Sequence, residues 1–244
     1  MIRKFIIFSL LAFFVQPHIL AKTLTIAVAA NFSEPMKGIL KKFERLHPGI
    51  QTNLVIGSSG KLFAQIQQGA PFDVFLSADQ DKPAKLIQLQ LALENSQFTY
   101  AKGLLVLWSN QNIKLSDQSL KTYSGNLAIA NPKFAPYGIA AQQVLAHYHN
   151  NNIQLITANN VIGAFQYIYS NSVQIGLIAK SSLIHAGIQP DTSWNVDKSL
   201  YSEILQDMVI INASTEASLL TMYMQSDEVQ TIIETLGYQR GLYE

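Results

Sequence analysis

Short apolar runs alternate with amphipathic segments along this chain. Residues 23–30 and 50–56 are apolar and partly β-branched, a composition typical of buried parallel strands. Between them, apolar side chains recur at helical spacing until residues 47–49 (His-Pro-Gly) end the repeat. The pattern therefore predicts a strand, a helix and a second strand, with the apolar face of the helix formed by Met36, Ile39, Leu40, Phe43 and Leu46.

The same alternation continues towards the C-terminus. The first helix has Pro35 in its first turn and Asn31 or Ser33 as its predicted cap. Further strands are predicted at residues 71–79, 100–108, 127–130, 173–179 and 204–212, and helices at 83–87, 139–148, 161–170 and 214–236. We interpret the strand at 100–108 as a crossing into a second unit. Alternating strands and helices predict an α/β fold with parallel sheets wound by right-handed crossovers.

The first 21 residues differ from the rest of the chain. Arg3 and Lys4 precede an apolar run at residues 5–15 that is too short to span a bilayer. This pattern predicts a secretory signal peptide cleaved after Ala21. The sequence contains no Cys, so lipid attachment to a processed N-terminal Cys is excluded. We expect a mature protein that is exported and has no lipid anchor.

Charge and composition exclude several classes of partner. Removing residues 1–21 takes away Arg3 and Lys4 and leaves 15 basic against 16 acidic residues, a formal charge of −1 with His neutral. That balance does not suit a nucleic-acid-binding protein. Without Cys there are no disulfides and no thiolate metal sites. Only Arg45 and Arg240 remain, which argues against a carboxylate ligand held by an Arg fork.

The turn at residues 57–61 (Gly-Ser-Ser-Gly-Lys) separates an apolar strand from a helical pattern. Small side chains at a helix start let an anion approach the free backbone N–H groups. Capping of the helix by Ser is the alternative explanation for this segment alone. A nucleotide P-loop is excluded, because Val55 stands where that motif needs Gly and Leu62 where it needs Ser or Thr.

Four turns of this kind place a small or polar residue at a predicted helix N-terminus. For any one of them, helix capping remains the simpler explanation. Ligands of open α/β sheets lie beyond the carboxyl ends of the strands, so two units would each direct two turns into a shared cleft. The four together predict a site for one small anion, formed by Ala30-Asn31, Ser58-Ser59, Tyr137-Gly138 and Asn160-Val161.

Several of these segments resemble periplasmic molybdate-binding proteins of the ModA type. The resemblance covers essentially the whole mature chain and is carried by residues 28–32, 57–62, 73–79, 131–138, 160–161 and 176–179. It implies a class II periplasmic binding protein with two α/β lobes, parallel-rich sheets, two crossing segments and a ligand cleft between the lobes. The predicted boundaries are residues 22–100 with 205–244 for the first lobe and 101–204 for the second.

The resemblance also implies a set of ligand contacts. They fall on Asn31 and Ser59 in the first lobe and on Tyr137 and Val161 in the second. Ser59 can donate through its hydroxyl and its N–H, whereas Val161 and Tyr137 are expected to donate through backbone N–H. Asn31 replaces a Ser of other members, and Ala179 stands where some members have a ligand-binding Tyr. Either the site has one donor fewer, or the Asn31 carboxamide supplies it.

The function implied is transport of an oxyanion, molybdate or tungstate, which the sequence does not distinguish. The partners implied are an inner-membrane ABC permease and its ATPase, and we expect a monomer with no cofactor other than the transported anion. Binding is expected from neutral donors, with Lys61 contributing little. Molybdate offers only acceptors at neutral pH, while hydrogen phosphate also needs an acceptor for its proton.

Two alternatives remain open at this point. One is a binding protein for another small anion such as sulfate. The other is an exported α/β hydrolase, although no nucleophile–base pair is found. Asp73 and Asp79 are better explained as a strand start and a helix cap than as acid and base. His147 and His149 lie on different faces of a helix, so the sequence predicts neither a metal site nor catalytic residues.

Overall fold

The computed structural model describes residues 22–111, 113–189 and 192–242. The predicted signal peptide therefore lies outside the described residues. Among those that are described, no helix is both long and apolar enough to cross a membrane.

The described chain contains strands and helices in alternation, as the sequence predicts. The strands are β1 (Lys22–Ala29), β2 (Ile50–Gly57), β3 (Val74–Leu76), β4 (Phe98–Gly103), β5 (Leu105–Trp108), β6 (Gly125–Ala130), β7 (Ile153–Ala158), β8 (Ile175–Ala179), β9 (Trp194–Asn195), β10 (Ile204–Ile210) and β11 (Gln239–Leu242). The helices are α1 (Ser33–Leu46), α2 (Ser59–Gln67), α3 (Asp81–Gln88), α4 (Asp117–Thr122), α5 (Pro136–Tyr148), α6 (Val161–Tyr169), α7 (Lys180–His185), α8 (Thr215–Met224) and α9 (Asp227–Thr235). Short 3-10 helices lie at Ala30–Phe32 and Lys198–Leu200.

The first sheet has the strand order β11-β4-β10-β3-β1-β2. β1 is parallel to β2 and β3, and Ala29 pairs with Gly57 at the carboxyl ends of β1 and β2. β10 runs antiparallel to β3 and β4, and β11 antiparallel to β4. The turns after β1, β2 and β3 therefore lie along one edge of this sheet.

The second sheet has the order β7-β6-β8-β5-β9, and like the first sheet it combines parallel and antiparallel strands. β6 is parallel to β7 and β8, while β5 is antiparallel to β8 and β9. Ala130 pairs with Ala158 where β6 and β7 end, so α5 and α6 begin at the same edge. The α/β class with two sheets is confirmed, but both sheets are mixed and not wholly parallel.

The chain passes between the two sheets twice. The predicted crossing strand at 100–108 is divided into β4 and β5, with Leu104 between them. The return runs from β9 in the second sheet to β10 in the first. The sequence patterns did not reveal β7, β9, β11, α4 and α7, which are short or carry no regular apolar repeat.

Apolar side chains on both faces of the sheets form the core. One cluster joins the first sheet to α1, α8 and α9, a second joins its other face to α2 and α3, and a third fills the second sheet. The predicted apolar face of α1 is confirmed for four residues, but Leu46 is 59% exposed because the helix ends there.

The predicted caps of α1 are wrong. Asn31 belongs to the preceding 3-10 helix, and Ser33 is the first residue of α1. The N-cap position is Phe32, which makes no side-chain capping bond, and the Ser33 hydroxyl donates to the Ala30 carbonyl at 2.8 Å. The extra 3-10 turn moves the start of α1 and brings the Asn31 backbone to the end of β1.

Candidate functional site

The four predicted turns meet at one small cavity. Asn31 and Ser59 reach it from the first sheet, and Tyr137 and Val161 from the second. About 10 Å³ of the cavity is accessible to the centre of a water molecule, enough space for roughly one water. The remaining described residues that line it are Ala29, Ala30, Ser58, Ala78, Ala135, Pro136 and Asn160.

Each of the four residues lies at the start of a helix. Ser59 is the first residue of α2, Val161 the first of α6 and Tyr137 the second of α5, while Asn31 lies in the 3-10 turn after β1. N–H groups in the first turn of a helix have no acceptor within the helix, and the helix dipole makes that end positive. The cavity therefore faces several N–H donors that can bind an anion.

The Ser59 hydroxyl lies at the cavity and has a hydrogen left to donate. It is buried, and its Oγ accepts a bond from the Ala78 N–H at 2.9 Å. Since a hydroxyl can accept and donate at once, the Ser59 hydrogen is available to an occupant.

Ser58 belongs to one of the four predicted turns but is not among the four predicted ligand contacts. It holds the N-cap position of α2, yet it makes no side-chain capping bond. Ser58 is 3% exposed, and its Oγ has no hydrogen-bond partner among the described residues. A buried hydroxyl without a partner costs about 1–3 kcal/mol, so Ser58 has unused capacity for a bond to an occupant. The turn pattern contained both serines and the resemblance selected Ser59 alone, whereas the structure shows that neither serine side chain caps the helix.

The Asn31 and Tyr137 side chains are hydrogen-bonded to other protein groups. Asn31 Nδ2 donates to Gln206 Oε1 at 2.7 Å and contacts the Tyr238 hydroxyl at 3.4 Å. The Tyr137 hydroxyl accepts from Gln206 Nε2 at 3.5 Å. Both hydrogens of the Asn31 amide thus have acceptors, which favours a site with one donor fewer over an Asn31 carboxamide that replaces the missing tyrosine. Ala179, at the missing tyrosine's position, is buried in the core of the second sheet.

The cavity is electrically neutral apart from its helix ends. Its described lining residues include neither a carboxylate nor a cation, and Lys61 is exposed. Burial raises the pKa of Tyr100, Tyr137 and Tyr238, so these phenols stay uncharged at neutral pH. No phenolate among these three repels an anion from behind the cavity.

The two halves of the site are also joined directly. The Gly60 N–H, in the first turn of α2, donates to the Phe134 carbonyl at 2.9 Å. A Cβ at Gly60 would lie 3.0 Å from the Phe134 Cα, so a larger residue there would crowd the contact.

The other candidate residues have structural roles. Asp73 Oδ2 accepts from the Thr25 N–H at 2.7 Å, and Asp79 Oδ1 accepts from the Lys82 N–H in the first turn of α3 at 3.0 Å. Across the described residues no group of His, Asp and Glu is arranged to hold a metal. His149 follows α5 in a left-handed conformation, so it does not continue the helix that carries His147.

Comparison with known proteins places these features in a family. Residues 24–239 match the family described as bacterial extracellular solute-binding protein. The chain is 38% identical to the molybdate-binding protein ModA of Rhodobacter capsulatus over 220 residues, 87% of this chain and 86% of that one. It is 37% identical to the ModA of Azotobacter vinelandii over 228 residues, 89% and 90% of the two chains. The periplasmic molybdate-binding protein of Azotobacter vinelandii is similar in structure, with a TM-score of 0.81, 33% identity and coverage of 91% of this chain and 100% of that one.

Proposed function

Because this chain belongs to the family of bacterial extracellular solute-binding proteins, we propose that it binds one molybdate or tungstate ion and delivers it to an ABC permease. The observation that carries the proposal is the meeting of four helix starts at one neutral cavity. Asn31, Ser59, Tyr137 and Val161 are the proposed ligand contacts. The relatives are substrate-binding proteins, and we propose no catalytic residues for this chain.

The donor set favours an anion that is fully deprotonated. Each hydrogen bond to a charged acceptor contributes about 1.5–3 kcal/mol, so several N–H and hydroxyl donors together offset the free-energy cost of ordering the site. Hydrogen phosphate would place its O–H against donors, since the described lining residues include no carboxylate to accept it. Sulfate presents the same acceptors as molybdate on a smaller tetrahedron, so discrimination against it depends on how far apart the donors are held.

Several further features of the protein belong to this proposal. We propose that residues 22–100 with 205–244 form one lobe and 101–204 the other. The two sheets support this division, but β4 of the first sheet extends three residues past the first boundary, to Gly103. We also propose that the protein is exported to the periplasm after removal of residues 1–21 and that it is a monomer. Its proposed partners are a membrane permease and the ATPase of that permease.

Calorimetric titration with molybdate, tungstate, sulfate and phosphate tests the proposal. We expect molybdate and tungstate to bind with similar affinity, and sulfate to bind at least about 30-fold more weakly, a difference of roughly 2 kcal/mol. Phosphate is expected not to bind measurably. Sulfate binding as tight as molybdate binding would favour the alternative anion carrier, and turnover of a chromogenic ester panel without any anion binding would revive the hydrolase.

Replacing Ser58 by Ala tests whether the unpartnered hydroxyl contributes to binding. We expect Ser58→Ala to weaken molybdate binding about threefold to tenfold, because it removes one hydroxyl donor from the cavity. Thermal stability without the anion should not fall and is expected to rise, because the variant removes a buried hydroxyl that has no partner.

Ser214→Ala is the matched control for Ser58→Ala. Ser214 is the N-cap of α8, and its Oγ accepts from the Ala217 N–H at 3.1 Å. This variant should lose about 1 kcal/mol of stability and keep the full molybdate affinity. If Ser58→Ala lowers stability in the same way and leaves affinity unchanged, Ser58 is only a helix cap.

A further inference from the structure

A layer of buried polar side chains lies directly behind the cavity. It consists of Asn31, Tyr100, Tyr137, Gln206 and Tyr238. Gln206 is 0% exposed and lies near the start of β10, the strand that returns from the second sheet to the first. This layer therefore lies where the chain passes between the two sheets.

Gln206 uses both ends of its carboxamide within this layer. Its Oε1 accepts from Asn31 Nδ2 at 2.7 Å and from the Tyr100 hydroxyl at 3.1 Å. Its Nε2 contacts the Tyr137 hydroxyl at 3.5 Å. One side chain thus connects a cavity residue of the first sheet, Asn31, with a cavity residue of the second, Tyr137.

Two local features of the backbone bring these groups together. The pairing of β10 with β4 shifts register between Gln206 and Asp207, an irregularity that redirects side chains near functional sites. Gly103 ends β4, and a Cβ there would lie 2.3 Å from the Tyr137 hydroxyl and 2.9 Å from Gln206 Nε2. Only a glycine leaves room for that approach.

Asp207, the next residue, belongs to a separate polar cluster. Its carboxylate accepts from the Thr99 hydroxyl at 2.6 Å and from Gln97 Nε2 at 2.7 Å. These partners are not shared with Gln206, although burial and then nearby charges, that of Asp207 included, raise the pKa of Tyr100.

We propose that Gln206 is a positioning residue that sets the separation between the Asn31 and Tyr137 backbone donors, and thereby the size of anion that the site selects. This inference rests on the proposed function. Gln206 does not touch the anion. It holds two anion-binding segments at a fixed distance, so its loss should affect the larger, well-fitted molybdate more than sulfate.

Gln206→Met tests the proposal, because Met has a similar volume and cannot replace either hydrogen bond. We expect molybdate affinity to fall about tenfold and sulfate affinity about twofold or less, so that the ratio of the two affinities falls at least about fivefold. Both are measured by calorimetry on the full mature chain.

Gln230→Met is the matched control. Gln230 is equally buried, and its Nε2 donates to the carbonyls of Tyr100 and Met224, away from the cavity residues. This variant should lower the melting temperature and leave the molybdate-to-sulfate ratio unchanged. An equal loss for both anions in Gln206→Met, or the same ratio as in Gln230→Met, would show that Gln206 is only a core residue.

Gln206→Asn gives a second test if the Met variant does not fold. The shorter carboxamide keeps a polar, uncharged group at this position but cannot reach Asn31 and Tyr137 at the same time. The ratio of molybdate to sulfate affinity should fall at least about threefold in this variant, and an unchanged ratio would contradict the positioning role.

The two proposals fail in different ways. If the wild type binds no molybdate, the proposed function is wrong. If the wild type binds molybdate and the Gln206 variants keep the wild-type ratio of molybdate to sulfate affinity, the function stands and the positioning role is wrong.

Discussion

Ser59→Ala is expected to weaken molybdate binding by at least about tenfold, and by up to about 100-fold. The change removes a hydroxyl donor from the cavity, and it also takes away the acceptor of the Ala78 N–H. Ala78 lines the same cavity, so its N–H loses the bond that orients it. The loss should therefore exceed that of Ser58→Ala, and calorimetric titration of the two variants measures the difference.

A buried serine outside the cavity provides the control for this variant. Ser109 follows β5 at the opposite edge of the second sheet, and its hydroxyl donates to the Gln174 carbonyl at 2.7 Å. Ser109→Ala should lose about 1 kcal/mol of stability without a change in affinity. Unchanged molybdate affinity in Ser59→Ala would remove Ser59 from the site.

Gly138→Ala is expected to damage both folding and binding. Gly138 follows Tyr137 in the first turn of α5, and a Cβ there would lie 2.4 Å from the Ala130 carbonyl oxygen and 2.8 Å from the Pro132 nitrogen. Both are backbone atoms, so the helix start itself must move. We expect a loss of about 2–3 kcal/mol of stability and a fall of at least about tenfold in molybdate affinity, as the Tyr137 N–H is displaced.

Gly38→Ala is the corresponding control within a helix. Gly38 lies on the exposed side of α1, and no other group lies within 4 Å of the position that a Cβ would take there. Alanine at this position should stabilise the protein by about 0.5–1 kcal/mol and leave binding unchanged. Thermal denaturation of both variants, with and without molybdate, separates the two effects. A Gly138→Ala protein as stable as the wild type would contradict the predicted clash.

The sequence contained enough information to locate the cavity. The pairing of a small or polar residue with each predicted helix start is a local pattern that selected four turns, and the resemblance to ModA-type proteins selected one residue in each turn. All four of these residues line one cavity. Their contact with an anion remains a proposal. The strand-and-helix alternation was readable because β1, β2 and α1 each have a regular apolar repeat.

The features that the sequence did not predict depend on long-range contacts. Whether Ser58 caps α2 or faces the cavity depends on backbone angles at the turn, and both serines look alike in the sequence. The hydrogen-bond partner of the Asn31 amide is Gln206, which lies 175 positions later in the chain. Whether neighbouring strands of the first sheet run parallel or antiparallel also depends on where β10 inserts. No local sequence pattern indicates that position.

The place of β10 also determines the order in which the protein can be assembled during synthesis. In the first sheet β10 lies between β3 and β4, and it is made only after β5–β9 of the second sheet. The second sheet comes from one continuous stretch and can be completed first, since chains fold in the order in which they emerge. The first sheet cannot be completed until nearly the whole chain has been released, because β3 and β4 lack their shared neighbour β10 until then.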